Sequence, residues 1–244
     1  MKYVCVFAHQ DDEMRCLGTL LRLQEAGHDF AFITLTAGDK GLPFDDDQGA
    51  GHAASVRDDE MRSVAAAFGA DYVCLGREDG FLYDDAALRR GLIAALRRVK
   101  AEVIFTHWTT DYNADHVVTA KVVTDASLFT SLASFESQVP ALGAVPRIYH
   151  VDPGPGYGFE GTHFVELSER HRDAKADLIR LHRSQMEVMQ RLSGSDYADQ
   201  MAAADRQTGG RLLVEQAEPF RPSLAERRIP WPSDLPGRLG SPSA

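Results

Sequence analysis

Lys2-Tyr3-Val4-Cys5-Val6-Phe7-Ala8-His9-Gln10-Asp11-Asp12-Glu13 begins as an unbroken apolar run and ends in five polar residues. A short run rich in Val, Tyr and Phe suits a strand buried on both faces at the centre of a parallel sheet. From Glu13 to Ala26 the apolar positions Met14, Leu17, Leu20, Leu21 and Leu23 recur at helical spacing, and Gly27 stands where a helix end favours a left-handed residue. Strand then helix is thus the opening unit, and it repeats. Strands are expected at 29–36, 71–75 and 102–106, and helices near 57–68, at 86–99 and at 115–128. Such alternation is the mark of βαβ units, and hence of one α/β domain with a mostly parallel central sheet and helices on both faces.

The pattern loosens outside this frame. Residues 37–56 form a long Gly- and Asp-rich connection, expected to rim a site, and its Asp45-Asp46-Asp47 run reads as a hydrated loop because the spacing of a calcium loop is missing. Beyond Ser131 we expect strands at 147–151 and 162–167, a Gly/Pro loop at 153–158, one long helix over 169–192 and a last strand within 206–220. The Pro- and Ser-rich stretch 221–244 reads as a tail, extended and wrapping or disordered, which gives a domain over 1–220 and a tail after it.

Bulk properties exclude several functions. The chain has 244 residues, 44% hydrophobic and 25% charged, with a formal charge of −10. That balance offers no basic surface for phosphate backbones, so nucleic acid is not an expected partner. A small molecule is. Cys5, Cys16 and Cys74 are odd in number and irregular in spacing, as reduced thiols are, and no apolar run approaches the ~20 residues of a bilayer span. A cytoplasmic location is expected, and oligomeric state is not legible.

Chemistry concentrates in two clusters. His9-Gln10-Asp11-Asp12-Glu13 follows the first strand, and His107-Trp108-Thr109-Thr110-Asp111-Tyr112-Asn113-Ala114-Asp115-His116 follows the strand at 102–106. Both occupy the carboxyl ends of strands, where open α/β sheets bind ligands. Two imidazoles and a carboxylate with one position left to water make an open, catalytic type of metal site, and no cysteine lies in either cluster. Adjacent Asp11 and Asp12 can divide the labour, one on the ion and one accepting the proton of a water whose pKa the ion lowers from 15.7 towards ~7. The plain alternative is that Asp11 or Asp12 only caps the following helix.

Ala8-His9-Gln10-Asp11-Asp12-Glu13 resembles the Ala-His-Pro-Asp-Asp-Glu motif of the PIG-L/LmbE-like N-deacetylases, and Asp111-Tyr112-Asn113-Ala114-Asp115-His116 resembles their Asp-x-His-x-Asp-His motif. Weaker likenesses at Leu35–Gly38, Arg57–Glu60, Arg77–Gly80 and Lys175–Gln185 extend it over roughly residues 2–190. The resemblance implies a Rossmann-like fold and removal of an acetyl group from an amino sugar or glycosylated, including natural-product, substrate. It implies that His9, Asp12 and His116 hold zinc, for which Fe(II) is a chemical alternative. Asp11 would be the general base, Asp115 would orient a neighbour within the second motif, and Arg57 and Asp79 would grip sugar hydroxyls.

Two departures stand out. Gln10 replaces Pro, and Asn113 stands where the family commonly has a His that assists the leaving amine or the oxyanion. Asn donates a hydrogen bond but cannot deliver a proton at neutral pH. The acid is then Asp11 itself, returning the proton it took, or Tyr149, Tyr157 or His163. His107 is read as satisfying local backbone or as a further ligand, and His182 and Gln185 as packing or hydrogen-bonding residues. The rival readings are an amidase or esterase on another acyl conjugate, and a non-catalytic binding module. A dinucleotide site is disfavoured, since the turn after the first strand has no Gly-x-Gly-x-x-Gly and presents carboxylates instead.

Overall fold

Alternation along the first strand places the sheet between two apolar layers. In the computed structural model, which describes residues 1–41, 49–135, 138–225 and 228–239, β1 (Lys2–Phe7) sends Tyr3, Cys5 and Phe7 into one buried cluster and Val4 and Val6 into the other. The next strands do likewise. β2 (Asp29–Thr36), β3 (Asp71–Arg77), β4 (Val103–Thr106) and β5 (Arg147–Val151) lie parallel to β1 in the order β3-β2-β1-β4-β5. On one face pack α1 (Leu17–Glu25) and α2 (Ala50–Ala67), and on the other α3 (Ala86–Val99) and α4 (Ala114–Phe129). Helices on both faces hide a parallel sheet from water, so the expected α/β, Rossmann-like single domain is the observed one. Asp45–Asp47 lie outside the described residues.

The sheet continues with antiparallel strands β7 (Ala217–Pro222), β6 (His163–Glu166) and β8 (Arg238–Leu239), in that order after β5. Three expectations change in this region and at the first helix. The helix expected from Glu13 starts as a 3-10 turn at Asp12–Arg15, and α1 begins only at Leu17. The reason is remote in sequence: the buried Glu218 carboxylate of β7 accepts from Gly18 N (2.9 Å), Thr19 N (2.7 Å) and Thr19 Oγ1 (2.6 Å), capping the helix from across the sheet. The long helix expected over 169–192 breaks into α5 (Glu169–Ile179) and α6 (Arg183–Ser193). At the break the His182 ring is buried on Glu13, and Ser184 N donates to Glu60 Oε1 (2.8 Å), so tertiary bonds replace one helical turn.

The third change is a helix, α7 (Tyr197–Arg211), over part of the stretch expected as strand. Asp196 caps it, accepting from Ala198 N (2.7 Å) and Asp199 N (3.3 Å). Gly209 lets the chain fold back after it: a Cβ there would lie 2.6 Å from Gln216 N, against backbone. The following described residues wrap the amino-terminal ends of the strands. Asp234, fully buried, accepts from Arg147 Nε (2.8 Å), Tyr149 Oη (3.1 Å) and Trp231 N (2.9 Å), and its carbonyl accepts from Tyr3 Oη (3.0 Å). Arg228 meanwhile donates to Ser127 Oγ (2.9 Å) of α4.

Lys175 of α5 joins these elements, its ammonium buried 2.6 Å from Asp205 Oδ2 and 2.8 Å from Glu218 Oε1. Burial alone would lower the Lys175 pKa, but the two carboxylates outweigh it and raise it. Removing one partner of such a group strands the remaining buried charge. Lys175→Met is therefore expected to cost about 3–5 kcal/mol, read from the urea unfolding midpoint at unchanged slope.

Candidate metal centre

β1 is hydrogen-bonded to β2 on one side and β4 on the other, so the chain leaves β1 and β4 at neighbouring points of the sheet's carboxyl edge. This is the switch point of the strand order, where the connections diverge and leave a crevice. His9 to Asp12 enter it from β1, and His107 to His116 from β4. The turn after β1 is tight enough to hold Asp11 at φ 126°, a left-handed value for a residue with a Cβ. Such a conformation costs on the order of 1–3 kcal/mol and persists only where its surroundings over-determine it. They do here: Asp11 N donates to Glu13 Oε2 (3.1 Å), and Arg57 Nη2 donates to Asp11 Oδ1 (2.8 Å) and to the Gln10 carbonyl.

Three donor atoms converge. His9 Nδ1 lies 3.3 Å from Asp12 Oδ2, His116 Nε2 lies 3.2 Å from Asp12 Oδ1, and the two imidazole nitrogens are 3.3 Å apart. A tetrahedral ion with bonds of ~2.0–2.1 Å needs ligand atoms separated by roughly 3.3–3.4 Å. The donor set therefore fits a divalent cation in both spacing and chemistry. Each ring is braced from behind: His9 Nε2 faces Asp79 Oδ1 (3.1 Å) and Asp115 Oδ2 (3.3 Å), and His116 Nδ1 faces Asp111 Oδ2 (3.1 Å). A carboxylate on the far nitrogen fixes the tautomer that offers the near one.

Two other trios, His107-Asp111-His116 and His9-Asp79-Asp115, also bring potential ligand atoms together. Neither has the same freedom. His107 Nε2 accepts from Ala8 N (3.0 Å) and its ring stacks on His116 at 3.9 Å, while His9 Nε2 is the nitrogen the two aspartates orient.

Electrostatics agree with a site built for positive charge. Burial opposes protonation of His9, but Asp115, Asp12 and Asp79 outweigh it and hold its pKa well above the usual imidazole value. Burial likewise pushes Asp12 up, yet the His116 and His107 imidazoles keep it well below the usual carboxylate range. Asp11 is raised to about 6, by burial first, against the pull of Arg57. His107, buried beside His116, falls to about 4 and is neutral.

The structure brings most of the residues singled out in the sequence to this crevice, with some in unexpected contacts. Asp115 reaches outside its own motif, accepting from Gly80 N (2.7 Å) and Leu82 N (3.1 Å) as well as facing His9. Arg57 and Asp79, expected on sugar hydroxyls, engage the centre: Arg57 is buried on Asp11, and Asp79 sits on His9. Asn113 caps α4, its Oδ1 accepting from Asp115 N (2.8 Å). Gln10, where the family has Pro, is fully buried and reaches Thr36 O (3.3 Å) and Tyr72 Oη (3.2 Å). Tyr149 is a core residue bonded to Asp234, and the His163 ring lies against it from β6, so neither is beside the donor atoms. Glu13 and His182 were not assigned to the site by sequence, although both lie in quoted motifs. Tyr197, which lines the pocket with Asp12 and His116, comes from the unexpected helix α7.

The PIG-L family model, described as GlcNAc-PI de-N-acetylase, matches residues 4–127. Comparison with curated protein sequences finds no match. Among solved structures, the N,N'-diacetylchitobiose deacetylase of Pyrococcus horikoshii is 20% identical with a TM-score of 0.78, covering 91% of this chain and 83% of its own. The conserved protein TT1542 of Thermus thermophilus is 26% identical with a TM-score of 0.76, over 94% and 97% of the two chains. GalB, the 4-carboxy-2-hydroxymuconate hydratase of Pseudomonas putida, is 20% identical with a TM-score of 0.78, over 93% and 98%. A deacetylase and a hydratase at equal distance show the shared fold, and not the reaction.

Behind Asp11, His182 Nε2 lies 2.6 Å from Glu13 Oε1, and both side chains are buried. Burial disfavours the imidazolium, but Glu13 overrides it and raises the His182 pKa above its ordinary 6.5. A folded pKa above the unfolded one stabilises fully below the unfolded value and loses that contribution as pH rises through the folded value. Unfolding midpoints of wild type and His182→Gln are thus expected to differ most below about pH 6.5 and to converge at higher pH. A difference that is flat from pH 6 to 9 would contradict the charged pair.

Proposed function

Because the chain belongs to the PIG-L (GlcNAc-PI de-N-acetylase) family, we propose that it is a zinc-dependent hydrolase removing an N-acetyl group from an amino sugar or a glycosylated small molecule. The observation that carries this reading is the convergence of His9 Nδ1, Asp12 and His116 Nε2 at 3.2–3.3 Å, with the buried Asp11 next to them in the chain. Imidazole and carboxylate ligands suit Fe(II) as well as zinc.

His9, Asp12 and His116 would hold the cation, which when bound supplies acidification of a water and polarisation of an amide carbonyl. Asp11 then takes the proton released as the water oxygen bonds to the acyl carbon. Arg57 engages Oδ1 of Asp11, which leaves Oδ2 to receive that proton and keeps the carboxylate aimed through its strained backbone. As the C–N bond breaks, the leaving nitrogen needs a proton, and Asp11 returns the one it took. Asn113 is committed as a helix cap, and Tyr149 is bonded within the core, so the same carboxylate serves in both directions. Asp79, Asp111 and Asp115 orient the two imidazoles, and Arg57 and Asp79, 3.9 Å apart, close the wall behind the base. A different acyl group would leave these roles intact and change only the acid released.

No helix among the described residues is long and apolar enough to cross a membrane, and the three cysteines are free thiols. We place the protein in a reducing compartment, the cytoplasm.

With zinc restored, the protein is expected to release acetate from a panel of N-acetylglucosaminides. Asp11→Asn should lower kcat by roughly 10²–10⁴ while the metal content by elemental analysis stays stoichiometric; an Asp11→Asn protein as active as wild type removes the assignment. Asp115→Ala, acting on His9 from behind, should weaken metal affinity about 10- to 100-fold, measured by competition with a chelator.

A further inference from the structure

Gln10 stands between His9 and Asp11 in the chain, and its side chain is fully buried. The amide nitrogen reaches Thr36 O (3.3 Å) at the end of β2 and Tyr72 Oη (3.2 Å) of β3, and Tyr72 Oη in turn lies 2.8 Å from Thr34 Oγ1. The backbone carbonyl of Gln10 accepts from Arg57 Nη2, the nitrogen that also donates to Asp11 Oδ1. One residue thus ties the turn after β1 to two neighbouring strands through its side chain, and to the partner of Asp11 through its main chain.

As filling for the interior, this amide is a poor choice. Its Oε1 is buried with no hydrogen-bond partner among the described residues, a cost that an apolar side chain of the same volume avoids. Arg57 Nε is buried and unpartnered in the same way. Both atoms press on Gly38, where a Cβ would lie 2.4 Å from Gln10 Oε1 and 3.2 Å from Arg57 Nε, so the two side chains share ground that only a glycine leaves open. What the amide supplies is a fixed direction for the turn. Within it His9 N donates to Asp12 Oδ2 (2.8 Å) and Asp11 holds a φ of 126°, and the bonds of Gln10 fasten this strained unit to the sheet.

We propose that Gln10 is a positioning residue: its hydrogen bonds hold the turn in the shape that aims His9 and Asp12 at one cation and keeps Asp11 beside it. They replace the restraint that a proline ring would place on the same residue. The inference rests on the metal-hydrolase reading. Gln10 is not among the residues lining the pocket at the donor atoms, so it acts on the turn and not on the substrate. Its N–H donates to no described residue and its φ is not positive, so a ring at this position removes no bond.

Chelator competition on the zinc-restored protein tests this without turnover. Gln10→Ala should bind zinc about 3- to 10-fold more weakly than wild type, and Gln10→Pro, whose ring fixes φ in place of the bonds, should recover most of the loss. Tyr72→Phe, which removes one acceptor of the amide and keeps the ring, should fall between wild type and Gln10→Ala, and provides a second reading if Gln10→Ala does not fold. Gln10→Met keeps the volume and drops the unpaired carbonyl; it should unfold in urea at an unchanged or higher midpoint while still binding zinc more weakly. On an N-acetylglucosaminide that releases acetate, Gln10→Ala should lower kcat at unchanged KM. The proposal is overturned by Gln10→Ala holding zinc as tightly as wild type, by Gln10→Pro doing no better than Gln10→Ala, or by a Gln10→Met midpoint that falls in step with its zinc affinity. Should zinc affinity follow the expected pattern while no N-acetyl sugar releases acetate, the deacetylase reading falls and the positioning role stands.

Discussion

One imidazole carries three carboxylates. Asp12 lies against His9 Nδ1, and Asp79 and Asp115 lie against Nε2, all in a largely buried crevice. Buried negative charge at that density is tolerable only if positive charge answers it nearby. Much of the surrounding architecture is the answer: Arg57 on Asp11, His182 on Glu13, and His116 between Asp12 and Asp111. The sheet makes the gathering possible by seating the β1 and β4 loops side by side, and the gathering in turn defines what the crevice can hold, a hard or borderline cation with oxygen and nitrogen ligands.

The parallel half of the fold was plain in the sequence because its physics is local. A strand buried on both faces must be apolar throughout, as Tyr3 to Phe7 are, and the polar residues that interrupt it must sit at the sheet's edge. The candidate cluster was legible for a related reason: His9 and Asp12 come directly after β1, and His116 comes from the start of α4, at the end of the connection that leaves β4. The residues that were misplaced depend on distant partners. Nothing near Leu17 announces that Glu218 will cap it, and nothing near Arg180 announces that His182 must turn inward to reach Glu13. The break between α5 and α6 and the late start of α1 are tertiary decisions. For α7 a signal was present, in Asp196 as a cap and in the Ala-rich residues after it.

Division of labour along the chain follows from this. The family model ends at residue 127, and the converging His9, Asp12 and His116 and the neighbouring Asp11 all lie within it. Pocket-lining groups such as Asp152 and Tyr197 come from beyond it. The candidate metal donors thus come from the parallel half and part of the pocket lining from what is draped over it, an arrangement by which one fold can host several reactions. Lys175, Asp205 and Glu218 lock the two halves together through bonds to three different elements.

Asp234 has a consequence for how the molecule comes into being. It accepts from Arg147 and Tyr149 and, through its backbone, from Tyr3, a contact between positions separated by 231 residues. The first strand of the sheet is therefore sealed by a segment made 231 residues later. During translation the lower rim of the nascent sheet stays open until that segment clears the ribosome tunnel, and closure of this longest loop comes late in assembly.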